Sequence, residues 1–367
     1  MQYIHQREDW AQFRWDTASL ATALAQARYK QGILLGRMKS FGFSLQTEAS
    51  LEALTASISM SAAIEGEAFS TLQVRSSLAQ KLGVNIGGLT KAERNVEGFV
   101  DVMLDATQNH IQALTKERLL GWHASLFPTG YSGLHKIHVA AWRTEASGPM
   151  QVVSGRIGHE TVHFEAPSAQ RIEKEMEGYL QWLNTENDID PVIKSAIAHL
   201  YFLTIHPFED GNGRIARTIA DYVLAKSEET EQRYYSLTAQ IEREKETYYQ
   251  ILEQTQKGDL DITAWLMWYI SLFHHALDAA ENIMSQVQRK ADIWKRANMF
   301  TLNERQRTVI NRLLDGFEGK LNNSKYAKLA KCSSDTALRD LKELVDFGIV
   351  QQGEGGGRST HYVFCKE

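Results

Sequence analysis

Apolar residues recur at helical spacing over most of this chain. After Pro191 they fall at Ile193, Ile197, Leu200, Tyr201 and Ile205, the three- and four-residue steps of one helix face. A proline near the start suits a first helical turn. The pattern breaks at Pro207 and across Gly211-Asn212-Gly213, then resumes at Ile215, Ile219, Tyr222 and Val223. Helix, short loop and helix are predicted. Another periodic stretch begins near Leu51, places Leu54, Ile58 and Ala62 on one face, and stops at Gly66. Glycine suits the left-handed position that follows a helix. Residues 1–45 carry Trp10, Phe13 and Trp15, aromatic anchors for docking onto a core, then a helix through Leu20, Leu24 and Leu34.

Two regions depart from helical spacing. Residues 150–166 alternate in part through Val152, Val153, Ile157, Val162 and Phe164, with Gly155, Gly158 and His159-Glu160 as turn material. A short β-hairpin is predicted there. Near the end, helices are predicted over 301–314 with Asn303 as a cap, over 324–330, and over 333–345 with Ala337, Leu338, Leu341 and Leu344 apolar. Strands at 349–351 and 361–364 flank a glycine-rich tip at 353–357. This order predicts a C-terminal winged helix-turn-helix. The fold class is therefore mainly α, with a small β-hairpin and a winged module. The expected domains are 1–85, 86–290 and 295–367.

The loop between the two central helices concentrates chemistry. His206-Pro207-Phe208-Glu209-Asp210-Gly211-Asn212-Gly213-Arg214-Ile215-Ala216-Arg217 places an imidazole, a carboxylate, two glycines and two arginines together. A helix starts after this loop, and its unpaired N–H groups and dipole favour an anion. Arg214 and Arg217, three residues apart, share a face and can both reach a polyphosphate docked there. Asp210 suits Mg²⁺, which takes one or two carboxylates plus phosphate oxygens. His206 titrates near neutrality and suits a general base. The string is not a Walker loop, which needs Gly-x-x-x-x-Gly-Lys-Ser/Thr after a strand.

The run resembles the motif of Fic-domain proteins, His-Pro-Phe-x-Asp/Glu-Gly-Asn-Gly-Arg-x-x-Arg, at every fixed position. That resemblance implies a helical Fic core and a protein adenylyltransferase, moving AMP from ATP to a Tyr, Thr or Ser hydroxyl of a protein. It implies that His206 takes the hydroxyl proton and that Asp210 holds Mg²⁺ on the α- and β-phosphates. Asn212 with the backbone of Gly211 and Gly213 forms the anion hole, and Arg214 and Arg217 bind the β- and γ-phosphates. Ser61-Ala62-Ala63-Ile64-Glu65-Gly66 is similar to the family's inhibitory motif, Ser/Thr-x-x-x-Glu-Gly/Asn, in its N-terminal-helix class. Glu65 then pairs with Arg217 and keeps the γ-phosphate from its productive pose. The hairpin at 150–166 corresponds to the flap on which a target segment docks by strand addition. Tyr248 or Tyr249 lines the adenine pocket and Gln256 meets the base edge. Residues 1–45 resemble an N-terminal domain of unknown function often fused to such cores. The same site admits two other outcomes: removal of AMP by a water that Glu65 orients, or a DNA-binding regulator whose core senses nucleotide. The intact His206 and Asp210 argue against a pure sensor.

Composition narrows the partners. The net charge is −5, which gives no global attraction to nucleic acid. Residues 301–367 carry a small positive balance, but the helix over 333–345 sets Asp335, Asp340 and Glu343 against Arg339 and Lys342. That balance favours a protein-interaction or dimerisation role over DNA for the module. Lys325, Lys328, Lys331 and Arg358 form the remaining basic patch. The two cysteines, Cys332 and Cys365, have no zinc or disulfide spacing. His135/His138, His159/His163 and His274-His275 read as surface or packing residues. No segment has the length and apolarity of a membrane span, and the first residues lack a signal-peptide core. A cytoplasmic enzyme that uses Mg²⁺ and ATP, with a homodimer and self-modification both open, is the expectation.

Overall fold

The structure is a computed structural model that describes residues 2–84, 89–156, 159–186, 188–314, 319–353 and 360–365. Ile157 and Gly158 of the hairpin, the boundary near 85–86, the glycine tip at 354–357 and Arg358 lie outside those residues. The chain divides into two compact units, Met1–Ile283 and Met284–Glu367. Among the described residues no helix is long and apolar enough to cross a membrane.

The first unit is built around one helix. In chain order its elements are α1 (Thr17–Ser40), α2 (Phe43–Ile64), α3 (Thr71–Lys81), α4 (Arg94–Gln108), α5 (Lys116–Leu126), strands β1 (Tyr131–Ser132) and β2 (His135–Lys136), strands β3 (Gln151–Arg156) and β4 (His159–Glu165), α6 (Ile172–Asn184), α7 (Pro191–Ile205), α8 (Asn212–Glu228), α9 (Leu237–Arg243), α10 (Lys245–Gln256) and α11 (Thr263–Ala297), whose far end belongs to the second unit. Helix α7 is buried on nearly every side, as a helix apolar all round must be. Asp190 caps it through Val192 N–H at 2.8 Å, with Pro191 in the first turn. It packs against α6 and α8, and α11 is tied to it by Trp265 Nε1, which donates to the Ala196 carbonyl at 2.9 Å.

Helix α2 starts at Phe43, a full two turns before the apolar periodicity does. It is rich in Ser and Thr along its length, yet Thr47, Ser50, Thr55, Ser57, Ser59 and Ser61 are all buried. Several of these hydroxyls are bonded within the protein: Thr47 and Thr55 donate to carbonyls one turn back, at 2.8 and 2.6 Å, and Ser57 donates to Ser236 at 2.7 Å, whereas Ser59 Oγ has no partner. A polar sequence thus forms a buried helix, packed against α3, α4, α8 and α9. At its end Gly66 has φ +80°, with Gly66 N–H bonding the Ala63 carbonyl and Glu67 N–H the Ala62 carbonyl. This is the Schellman arrangement expected at Gly66.

Two of the three aromatic anchors, Trp10 and Phe13, dock onto α7. Trp10 and Phe13 both meet the ring of Tyr201 edge-on, and Trp10 Nε1 donates to Glu175 at 2.8 Å. Strands β3 and β4 form the antiparallel hairpin, with a register shift between Val152 and Val153.

The second unit holds α12 (Glu304–Leu314), α13 (Asn323–Leu329), α14 (Ser334–Asp346) and the antiparallel pair β5 (Val350–Gln352) and β6 (Tyr362–Phe364) around its own core of Val309, Ile310, Tyr326, Leu341 and Leu344. Asn303 caps α12 through Gln306 N–H at 2.9 Å. One charge reading is corrected here. Asp340 does not lie on the exposed face of α14; it is 4% exposed. It accepts both prongs of Arg305 (2.8 and 3.0 Å) together with Asn303 Nδ2 and the Tyr326 hydroxyl. Its charge is spent inside the module, so it does not count against a ligand on that helix.

Candidate functional site

The predicted loop joins α7 to α8. Helix α7 ends at His206, which takes the left-handed conformation, φ 52° and ψ 59°. Such a conformation is strained for a residue with a Cβ and turns the side chain out of the helical path. The imidazole Nδ1 lies 3.2 Å from the Leu203 carbonyl, which can only accept, so Nδ1 carries the hydrogen and Nε2 keeps its lone pair. Burial pulls the imidazole down to about 4, partly offset by the Leu203 carbonyl; Arg143 lowers it further, while Glu65 and Asp210 raise it. His206 is therefore neutral at pH 7, the form a general base needs.

Gly211 opens α8 in the left-handed conformation, φ +80°, and a Cβ there would also press on the Phe127 ring at 2.8 Å. The first N–H groups of α8 point out of the helix end, as in any anion-accepting N-terminus. Asp210 sits at the mouth of this turn. Its Oδ1 accepts Gly211 N–H at 2.6 Å and its Oδ2 accepts the hydroxyl of Ser132 on β1. One oriented carboxylate beside an anion site suits a Mg²⁺ that arrives with nucleotide phosphates. Among the described residues no group of three or more His, Cys, Asp or Glu forms a free-standing metal site.

Asn212 corrects the sequence reading. Its side chain was expected in the anion hole. Instead its Oδ1 accepts Phe208 N–H at 2.9 Å and its Nδ2 donates to the Phe208 carbonyl at 2.8 Å. The amide staples the loop from inside, and only the backbone of Asn212 remains for an anion.

Both motif arginines are engaged by carboxylates. Arg217, 2% exposed, donates from Nη2 to Glu65 Oε1 at 2.7 Å, from Nε to Ser61 Oγ at 2.9 Å and from Nη2 to the Ser61 carbonyl at 3.2 Å. Ser61, Glu65 and Arg217 thus form one hydrogen-bonded cluster. Glu65 lies so close over α8 that a Cβ on Gly213 would collide with its Oε1. Arg214, also buried, reaches Glu67 Oε1 at 3.2 Å and stacks on the Phe127 ring at 4.8 Å. Glu67 was not singled out from sequence; its signal was only its place two residues past Glu65. Lys245 of α10 fastens this segment by donating to the Ile64 carbonyl at 2.6 Å.

Three further residues escaped the sequence reading. Ser132, the partner of Asp210, is one. His123 of α5 is fully buried and stacked on Phe208 at 4.1 Å; its Nδ1 accepts Ala140 N–H and its Nε2 donates to the Asp210 carbonyl. A histidine on the apolar stripe of Leu119, Trp122 and Leu126 was the available signal. Arg143 lies in a loop without any pattern and is 4% exposed.

The two adenine-site candidates separate. Tyr248 is buried, its hydroxyl 3.0 Å from His199 Nε2, whereas Tyr249 is 42% exposed. Gln256 is buried, and its Nε2 donates to Thr204 Oγ1 at 3.3 Å. On the hairpin, His163 bonds Ser154 at 2.6 Å and Glu253 of α10 at 2.7 Å, and His138 bonds Glu209.

Parts of the chain are similar to known proteins. Residues 113–224 match the model of the Fic/DOC family, and residues 3–84 match a domain of unknown function, DUF4172. A stretch of 81 residues is 36% identical to the protein adenylyltransferase fic-1 of Caenorhabditis elegans, covering 21% of this chain and 16% of that one. A longer stretch of 223 residues is 25% identical to the protein adenylyltransferase Fic of Drosophila virilis, covering 58% and 40%. The matches thus span less than half the length of these relatives. Among solved structures, a Fic family protein from Desulfovibrio desulfuricans has a TM-score of 0.54 at 20% identity, covering 94% of this chain and 96% of that one. A Fic domain containing signaling protein from Bacteroides thetaiotaomicron has a TM-score of 0.53 at 19% identity, covering 72% and 98%. At these identities the likeness is one of fold.

Proposed function

Because the chain carries a domain of the Fic/DOC family, we propose that it is a protein adenylyltransferase, transferring AMP from ATP to a hydroxyl side chain of a protein and restrained by its own Glu65. The observation that carries this is the joint geometry of His206 and the α8 N-terminus: a neutral imidazole with Nε2 free, beside a helix start and two arginines.

In this reading Nε2 of His206 takes the proton of the target hydroxyl, whose oxygen attacks the α-phosphorus, and pyrophosphate leaves. Backbone N–H groups at the start of α8 hold the phosphate oxygens. Asp210, oriented by Ser132 and Gly211 N–H, would hold Mg²⁺, which would neutralise phosphate charge. Tyr249, the exposed member of the tyrosine pair, borders the base, with the buried Tyr248 behind it. The target backbone adds to the edge of the β3–β4 hairpin.

Restraint follows from occupancy. A carboxylate at a helix N-terminus stands where an anion belongs, and Glu65 takes both that place and the Arg217 fork. A nucleotide whose γ-phosphate is denied Arg217 sits with its α-phosphate out of line for attack. Purified wild-type, Glu65→Gly and His206→Ala proteins, incubated with Mg²⁺ and α-labelled ATP, test the assignment. Label that rises in Glu65→Gly and disappears when His206→Ala is added supports it. Undiminished label in His206→Ala overturns it. No label in any protein that still binds ATP moves the reading to AMP removal.

A further inference from the structure

Arg143 makes an unusual set of contacts. It is nearly buried, no acidic residue pairs with it among the described residues, and its bonds run to one place. Its Nε donates to the carbonyl of His206 at 2.7 Å, its Nη2 to the carbonyls of Ile205 (3.5 Å) and Pro167, and its own backbone N–H to the Pro207 carbonyl at 2.9 Å. Three consecutive carbonyls, from the last residue of α7 through Pro207, thus converge on one residue. They are the negative end of the helix dipole, which favours a cation. Burial lowers the guanidinium only to about 10, so it remains charged at pH 7.

We propose that Arg143 is the positioning residue of the site, holding His206 in its left-handed conformation and setting a positive charge beside the imidazole. The fork fixes the backbone at the strained residue, and a left-handed Cα without such an anchor relaxes toward the ordinary regions. The charge acts separately. The charged groups that bear on the imidazole are Arg143, which favours its neutral form, and Glu65 and Asp210, which favour its protonated form. Arg143 thus serves two ends: it aims the base and adds to burial in favouring its neutral form.

This inference rests on His206 being the base of the proposed transfer, and its test separates the two claims. In the Glu65→Gly background, Arg143→Met removes fork and charge, and Arg143→Lys keeps the charge without the fork. Two readouts are taken: steady-state AMP transfer, and titration of His206 by NMR on protein labelled at histidine Cε1, without ATP. Since a misplacement of about 1 Å costs about 100-fold, Arg143→Met is expected to lower kcat by about that factor and leave KM for ATP within about threefold. The His206 pKa moves up in Arg143→Met and stays in Arg143→Lys, while kcat falls in both. Arg143→Ala with added guanidinium regains at least about tenfold if the missing fork is the cause. A folded Arg143→Met with the parent's kcat and an unmoved His206 overturns the proposal. So does a loss of kcat with no change in titration and no rescue, which marks a purely structural arginine. If Arg143→Met fails to fold, Arg143→Lys decides: a kcat equal to the parent's removes the fork from the argument. If the Glu65→Gly parent transfers no AMP, the functional reading fails, and the titration alone still decides the role of Arg143.

Discussion

Replacing Glu65 with glycine separates the two jobs that its carboxylate does. Arg217 is 2% exposed and the Glu65 side chain 31%, so the pair lies between a surface bridge and a buried one. Surface pairs contribute about 0–1 kcal/mol, and breaking a fully buried pair costs about 3–5 kcal/mol, which puts this one near 2 kcal/mol. Arg217 keeps its bonds to Ser61, which limits the loss. At about 2–4 °C per kcal/mol for a large domain, Glu65→Gly should melt about 5 °C below wild type without nucleotide. The same 2 kcal/mol opposes ATP in the wild type, since the γ-phosphate must displace Glu65 from Arg217. Its removal should raise productive nucleotide occupancy, and with it AMP incorporation, by about 30-fold. The assay is paired: melting temperature with and without Mg²⁺-ATP, and label from α-labelled ATP on the same preparations. Stability should fall without nucleotide, and ATP should raise the melting temperature more in the variant than in wild type. An equal ATP-induced rise in both proteins, or less label in the variant, would refute the reasoning.

Three other outcomes follow from the geometry. Gly213→Ala places a methyl against Glu65 Oε1; it should cost about 1–2 kcal/mol in wild type and much less in Glu65→Gly, a non-additivity that a double-mutant cycle in urea measures. Burial, helped by the charge of Arg217, pulls His199 down to about 3. The folded form then refuses a proton that the unfolded chain accepts below about 6.5, so stability falls as pH drops; between pH 6.5 and 5 the loss is about 1.5 kcal/mol, and His199→Asn should flatten the urea midpoint over that range by this amount. Asp340→Ala strands the Arg305 fork and the buried Tyr326 hydroxyl; it should cost about 2 kcal/mol and speed hydrogen exchange in α12–α14 while α7 exchanges as before.

The sequence by itself determined the parts whose information is local. Proline, glycine and apolar spacing mark both ends of α7 and the start of α8, because helix starts, stops and faces depend on residues within a turn or two. Gly66 could be placed in a left-handed position for the same reason. Residue type alone named His206, Asp210, Arg214 and Arg217, since few side chains suit proton and phosphate chemistry. Periodicity missed the first two turns of α2, where the buried Thr47 hydroxyl bonds the helix's own Phe43 carbonyl and a polar sequence hides a core helix. It also could not say that the Asn212 amide turns inward, because an asparagine's partner is chosen by which backbone groups lack one.

Only the tertiary structure decided what faces the loop. Arg143, His123 and Ser132 act on it across 63, 87 and 78 residues of chain, through carbonyls, a ring face and a carboxylate that no spacing rule brings together. The Arg217–Glu65 and Arg214–Glu67 pairs span 152 and 147 residues. Contacts of this kind are set by how α2, α5 and the loop after β2 pack against α7 and α8. A helix end carries its own dipole and unpaired groups; which charge fills it is settled by the element folded against it.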